Sequence, residues 1–403
     1  MGAMANANSN TIYLDYNATT PVRQEAIDKM SPFLYHYGNP SSSHVLGDLP
    51  KQALQEARHE VAQAVGVSAD ENSIYFCSCG TEADNWAIWS AISRYRRRHP
   101  DRMPHVVSSV IEHPAVLIFL EQLHGLKLLE YDLVPVDSEG FLDLSELESS
   151  IREETCLVTV MHSNNEIGTI QRFSDICRIV GNFDNVLLHS DMAQSIGRAP
   201  INLSDMRIDM CTIVAHKFGG PKGVAALYCR PGTELHPFLG GGGQEQGMRS
   251  GTENVLLAVG MGEAIRCACK DVENSIQDMR GKRDLLFELL NEKLLDRLNR
   301  QGLLQVHGPK DDEYRLPNTL SFGIKGIDSR IVIQSLREKV AMSSGSACHS
   351  GSASGGGVLN AVGCPIEYQM GTFRLSVGHY STHKEIETAA ELIVDAIEAE
   401  LNK

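Results

Sequence analysis

Between about residue 50 and residue 260, helical patterns alternate with short strand-like runs, and this alternation constrains the chain more than any other feature. Leu54, Ala57, Val61, Ala64 and Val65 in "KQALQEARHEVAQAVGV" recur at three- and four-residue spacing, which gives one apolar helical face. The strand-like runs are "SIYFCS", "HVVSSV", "CLVTVM", "NVLLHS", "MCTIVA" and "VAALYC". Runs of this kind separated by helices predict an α/β fold, a mostly parallel sheet covered by helices. Several runs end in polar residues or glycine. In open α/β sheets ligands bind beyond the carboxyl ends of the strands, so the chemistry is expected there.

After the glycine run "LGGGGQEQGMRSGTENV" the helical stretches lengthen. The last, "THKEIETAAELIVDAIEAELNK", opens with Thr382 and Glu385 at capping-box spacing and carries Ile386, Ala389, Ile393 and Ile397 on one face. The expected organisation is a large domain over 11–260 and a smaller domain over 261–403, with residues about 11–25 packing against the smaller one. Residues 1–10 are set aside as a disordered tail or expression remnant.

The 403 residues, 42% hydrophobic, can bury a sizeable core. A formal charge of −15 argues against a nucleic-acid partner. The basic run Arg94 to Arg98 reads as a solvated helix end. No apolar run approaches the ~18 residues of a membrane span, so no membrane partner is expected. The ten cysteines lack disulfide-framework spacing, which favours a reducing compartment, and a cytoplasmic location is expected. The Cys77/Cys79 and Cys267/Cys269 pairs lack zinc-site spacing and read as small buried apolar residues.

Lys217 follows "MCTIVA" at a strand end, beside glycines that let a ligand approach the backbone. The run "NVLLHS" leads into Asp191, with Gln194 just beyond. A lysine and a carboxylate on two strand ends are what pyridoxal phosphate asks for: the amine takes the aldehyde as a Schiff base, and the carboxylate keeps the pyridine nitrogen protonated. The strand–turn–helix "FCSCGTEADNWAIWSAI" places Gly80 and Thr81 where helix N–H groups and a hydroxyl could meet a phosphate, although such a threonine often serves only as a cap. His113 and Asn165 stand at two further strand ends, one fit to stack on the ring, the other to lie near its phenolic oxygen. A lone histidine is usually a satisfied polar residue. The convergence of these residues carries the reading.

The segments "IYLDYNATTPV", "YGNPSSSH", "GTEADN", "EHPAV", "NNEIGTIQ", "HSDMAQSIG", "AHKFGGPKGVAALY", "GMRSGTENV", "SSGSACHS" and "FRLSVG" occur in order along nearly the whole chain. Together they resemble the NifS/IscS-type cysteine desulfurases, class V aminotransferase-like proteins close to the selenocysteine lyases. The resemblance implies the pyridoxal-phosphate transferase fold type I, with a seven-stranded sheet and a smaller α+β domain. It implies that Lys217 is the Schiff-base lysine, Asp191 the pyridine-nitrogen partner, Gln194 a donor to the phenolic oxygen and His113 the stacking ring. Gly80, Thr81 and His216 would hold the phosphate, with Thr252 supplied by the opposite subunit of a homodimer whose active sites lie at the interface. Arg374, Asn165 and Asn39 would hold the substrate, and Cys348 would carry the persulfide. Two positions depart from the family pattern. Val214 stands where many desulfurases carry a serine, a contact Thr212 or Ser78 could replace, and Gly219 stands for a frequent tyrosine.

The implied reaction removes sulfur from L-cysteine, leaving L-alanine and a Cys348 persulfide, with His113 or His349 taking the thiol proton. The stretch "AMSSGSACHSGSASGGG" around Cys348 then reads as a mobile arm delivering sulfur to an acceptor or scaffold protein. Selenocysteine lyase is the alternative reading. A low-turnover scaffold in a sulfur-transfer complex is the alternative of another class, and it leaves Lys217, Asp191, His113, Cys348 and Arg374 without purpose.

Overall fold

A computed structural model describes residues 11–68, 73–298, 302–345 and 357–403. The chain opens with β1 (Ile12–Tyr13) and then builds a seven-stranded sheet from β2 (Ile74–Cys77), β3 (His105–Ser109), β4 (Glu130–Val134), β5 (Thr155–Thr159), β6 (Leu187–Asp191), β7 (Met210–Val214) and β8 (Ala225–Cys229). The strand order is β2-β8-β7-β6-β5-β3-β4. Only β8 runs against its neighbours. The α/β class and the mostly parallel seven-stranded sheet agree with the sequence reading, and all six quoted runs are strands. The seventh strand, β4, was not singled out: it lies at the sheet edge and alternates exposed and half-buried residues such as Glu130 and Tyr131.

Side chains alternate across a strand, so one sheet feeds two cores. Ile74 and Phe76 join Leu54, Ala57 and Val61 of the helix Asp48–Ala64 on one face. Tyr75 and Cys77 join Trp86 and Ile88 of the helix Gly80–Arg98 on the other. Burial on both faces is why these strands read as nearly continuous apolar runs.

The later chain forms a four-stranded antiparallel sheet, β12-β13-β10-β9, from β9 (Leu304–Val306), β10 (Thr319–Ile324), β12 (Ser343–Ser344) and β13 (Thr372–Ser376), while β11 (Val340–Ala341) pairs in parallel with β1. The helix His383–Leu401 covers this sheet. Its capping box is formed, with Thr382 Oγ1 accepting from Glu385 N at 3.2 Å and Glu385 Oε2 accepting from Thr382 N at 2.8 Å. Ile386, Ile393 and Ile397 are fully buried, each contributing about 2 kcal/mol of apolar burial.

A boundary at 260/261 would cut the helix Val255–Cys269, whose Met261, Ala264, Ile265 and Ala268 all pack in the first core. The change of core falls between Cys269 and Val272, where the next helix begins. The N-terminal segment divides in the same way: Leu14 is buried in the second core and Ala26 in the first. Cys77 is buried as expected, but Cys79 is exposed and Cys267 and Cys269 are only partly covered. The basic run ends its helix in the last turn, where Arg98 pairs with Glu234 at 3.0 Å.

Candidate active site

Beyond the carboxyl ends of β3, β5, β6 and β7 lies a cleft of about 370 Å³. Gly80, Thr81, His113, Asn165, Asp191, Gln194, His216, Lys217 and Arg374 all line it, so nine residues singled out from sequence meet at one site. Thr252 does not. It lines a separate cavity of about 220 Å³ with Ser78 and Arg249. Asn39 is exposed and spends its side-chain oxygen on the backbone of Ser41, at 2.8 Å. Cys348 and His349 lie outside the described residues.

Lys217 Nζ donates to the carbonyl oxygens of Asn17 at 2.6 Å and Ala18 at 3.0 Å. Burial, reinforced by the Arg198 and Arg374 guanidiniums, pushes its amine down to about 8, so a fair fraction is neutral near pH 7. Asp191 is buried and accepts from Ala193 N at 2.8 Å. Burial pushes its carboxyl up, against the pull of that N–H, His113 and Lys217.

The helix Gly80–Arg98 begins with no side-chain cap, leaving its first N–H groups open toward the cleft. Gly80 is needed there for space: a Cβ would stand 2.8 Å from Val214 Cγ2. Neither candidate replacement for a serine at 214 reaches the cleft. The Thr212 hydroxyl is fully buried against His189 Nε2 at 3.1 Å, and Ser78 pairs with Glu82. Glu82 in turn holds Arg249 at 2.7 Å, which keeps its carboxyl below the usual range.

His216 bonds Thr19 through Nδ1 at 3.2 Å, and burial pushes it down to about 4. His113 Nδ1 accepts from Ala115 N at 3.1 Å, capping the helix Pro114–Gly125. With that lone pair occupied, the neutral ring of His113, which lines the cleft, carries its N–H on Nε2.

Arg374 projects from β13. It donates to Asp15 Oδ1 at 2.8 Å, to Ser343 Oγ at 3.2 Å and to the Asn165 carbonyl at 3.1 Å, leaving a buried Nε with no partner among the described residues. Two buried hubs went unnoticed in the sequence. Asn17 donates to Thr319 Oγ1 at 2.8 Å and to the Asn165 carbonyl at 3.1 Å. Asp84, which lines the cleft, is 1% exposed; its buried Oδ1 has no hydrogen-bond partner among the described residues and lies 3.8 Å from His189 Nε2.

The model for the class-V aminotransferases matches residues 12–388. A cysteine desulfurase IscS of Dictyoglomus turgidum is 38% identical over 96% of this chain and 94% of its own length. Another, from Methanosarcina thermophila, is 37% identical over 98% and 94%. The chain belongs to the NifS/IscS-type cysteine desulfurase family.

A solved NifS-like protein superposes with a TM-score of 0.86 at 33% identity, covering 96% of this chain and all of that one. SspA, solved in complex with cysteine, superposes at 0.73 with 28% identity, covering 92% of this chain. Members of the desulfurase family are pyridoxal-phosphate enzymes, and the residues of the cleft fit that cofactor. A buried amine of lowered pKa faces a buried carboxylate, and the helix start beside Gly80 is uncapped.

Proposed function

We propose that this protein removes sulfur from L-cysteine, releasing L-alanine and leaving the sulfur as a persulfide on Cys348. The carrying observation is the cleft itself, where Lys217 and Asp191 stand on adjoining strand ends with Arg374 at the opposite wall. When bound, pyridoxal phosphate supplies an aldehyde for amines and a ring that accepts the electrons released at Cα. Lys217 Nζ would hold the aldehyde carbon and, once displaced, take the Cα proton. Its low pKa suits both tasks, because only the free amine performs them. The Asp191 carboxylate would keep the ring nitrogen protonated, and Gln194 would donate to the phenolic oxygen. Thr81, the open helix start and His216, as a neutral N–H donor, would hold the phosphate.

His113 would cover the ring and present Nε2–H to the substrate side. The substrate carboxylate would go to Arg374, whose buried Nε has no partner among the described residues and so a donor to spare, with Asn165 beside it. In net terms the substrate's sulfur passes to the Cys348 thiol and a proton replaces it on carbon, so atoms and charge balance. The domains we assign are about 26–269, which holds the cofactor, and 272–403 together with the start of the chain around Leu14, which supplies Arg374 and the segment containing Cys348.

We further propose a homodimer. Leu34, Tyr35, Tyr37 and Val45, large apolar side chains close together in the sequence, are between 69% and 86% exposed, and a subunit contact would cover them. In such a dimer Thr252, which lies outside its own cleft, would serve the partner's. Replacing Tyr37 with Lys and Val45 with Glu should yield a monomer by light scattering.

The test of the reaction compares alanine release from cysteine and selenocysteine by wild type, Lys217→Ala and Cys348→Ser. Loss of both activities in the first variant, and of cysteine activity in the second, is the expected result. A Cys348→Ser protein inactive on cysteine alone would make selenocysteine an additional substrate. One fully active on cysteine would sink the persulfide route.

A further inference from the structure

Arg198 is 5% exposed, yet none of the four groups it donates to carries a charge. Nη1 reaches Asn17 Oδ1 at 3.2 Å and the Gln194 Oε1, while Nη2 reaches the carbonyls of Tyr16 at 3.0 Å and Lys217 at 2.9 Å. Burial pushes its guanidinium down to about 10, with Arg374 adding to the effect, so it stays charged at neutral pH. A buried cation held by neutral oxygens is costly, since none of its hydrogen-bond partners among the described residues repays its lost hydration with an opposite charge.

We propose that Arg198 positions both cofactor-facing side chains at the cleft floor, Lys217 and Gln194, and supplies the fixed positive charge beside the Lys217 amine. This rests on the reading of Lys217 as the cofactor-holding lysine. The hydrogen bonds close a ring: Arg198 holds the Lys217 carbonyl and Gln194 Oε1, while Gln194 Nε2 and Lys217 Nζ both donate to the Asn17 carbonyl, at 3.0 and 2.6 Å. Guanidinium can only donate, so it must meet the oxygen of the Gln194 amide. Arg198 thereby sets which end of Gln194 is left to donate at the cleft.

The second effect is electrostatic. Besides Arg198, Lys217 is faced by Arg374 from β13, Asp191 from β6, Asp15 from the N-terminal segment, His113 at the helix start and the adjoining His216. The cations disfavour its ammonium form and the two aspartates favour it. Arg198 is the largest contributor after burial.

The experiment follows cofactor capture by the full-length protein freed of pyridoxal phosphate, read as the rate at which visible absorbance appears across the neutral and alkaline range. Wild type should show a midpoint near 8, the value of the Lys217 amine. Arg198→Gln should move the midpoint up by about one pH unit or more, with capture at neutral pH about tenfold slower. Arg198→Lys keeps the charge and should hold the midpoint. Because Arg198→Gln could fail to fold, Asn17→Asp serves as a second variant: it sets a carboxylate against an intact guanidinium and should also raise the midpoint. An unmoved midpoint in Arg198→Gln or Asn17→Asp, or one moved as far in Arg198→Lys as in Arg198→Gln, overturns the proposal. Failure of the underlying reading looks different: Lys217→Ala would then capture the cofactor with the same absorbance as wild type.

Discussion

One wall of the cleft, carrying Asn165, Asp191 and Lys217, stands at or just beyond the ends of three neighbouring strands, β5, β6 and β7, of a single sheet, whereas the other joins Asp15 to Arg374 across 359 residues of sequence. The first wall inherits its geometry from strand spacing: Asp191 lies opposite Thr212 in the β6–β7 register, and the chain turns at Ala215–Lys217 directly after β7. The second wall exists only once the N-terminal segment has docked, with Leu14 in the second core and Asn17 N held by Ser376 Oγ at 2.9 Å. The residues of the proposed chemistry are thus placed by the sheet, and those of the proposed substrate recognition are brought together by tertiary docking. Substitutions in the first wall should therefore affect the reaction itself, and those in the second should affect binding and stability.

The largest expected effect is on the sheet-borne wall. Lys217→Ala removes the amine that would hold the cofactor and move the proton, and alanine release should fall by about 10³-fold or more. The protein should still fold, because only two hydrogen bonds from Nζ are lost, so its melting temperature distinguishes lost chemistry from lost structure. Activity of wild type should also rise with pH toward about 8, since in the proposed reaction the free Lys217 amine is the working form and burial brings that amine down to about 8. A flat profile there would separate the amine from the rate.

Arg374→Ala tests the assembled wall. Truncation should raise KM for cysteine by about 10²-fold, with kcat changed less, as expected for the loss of a charge-assisted pair to the substrate carboxylate. If kcat fell instead with KM unmoved, the two walls would not divide the labour in this way.

Much of the first wall was legible in the sequence for a physical reason: strand ends announce themselves by a switch from apolar runs to polar or glycine residues, and Asp191, Lys217 and Asn165 sit at those switches. The helix face Ile386, Ala389, Ile393, Ile397 and its Thr382–Glu385 box were legible because period and cap are local signals. The edge strand β4 was not, since only one of its sides is buried and its residues alternate with charges. Arg198, Asn17 and Asp84 were missed because a single polar residue in a sequence carries no mark of being buried, and their partners lie far along the chain. Thr19 and Ser343, which touch His216 and Arg374, were hidden for the same reason.

Asn17→Ala probes the joint between the walls and should act chiefly on stability. The substitution strands the buried donors of Arg198 and Asn318, the latter 2.9 Å from Asn17 Oδ1, and empties the site facing Thr319. A loss of about 2–4 kcal/mol is expected from the unsatisfied partners, read in denaturant unfolding. A loss confined to activity would mean that the N-terminal segment docks without this hub.

The smallest effect falls on Asp15, whose Oδ1 accepts from Arg374 at 2.8 Å and from Ser343 at 3.0 Å. A substrate carboxylate bound at Arg374 as proposed would meet the Asp15 carboxylate already paired there. Asp15→Asn keeps an oxygen for both donors while removing the competing charge, so KM for cysteine should fall by about two- to fivefold at a stability cost under about 1 kcal/mol. The same change removes one of the two carboxylates that favour the Lys217 ammonium, so the pH midpoint of that amine should drop slightly. A rise in KM would show instead that Asp15 orients the Arg374 fork and that its charge supports recognition. The second wall would then depend on its internal ion pair as the first depends on its strand register.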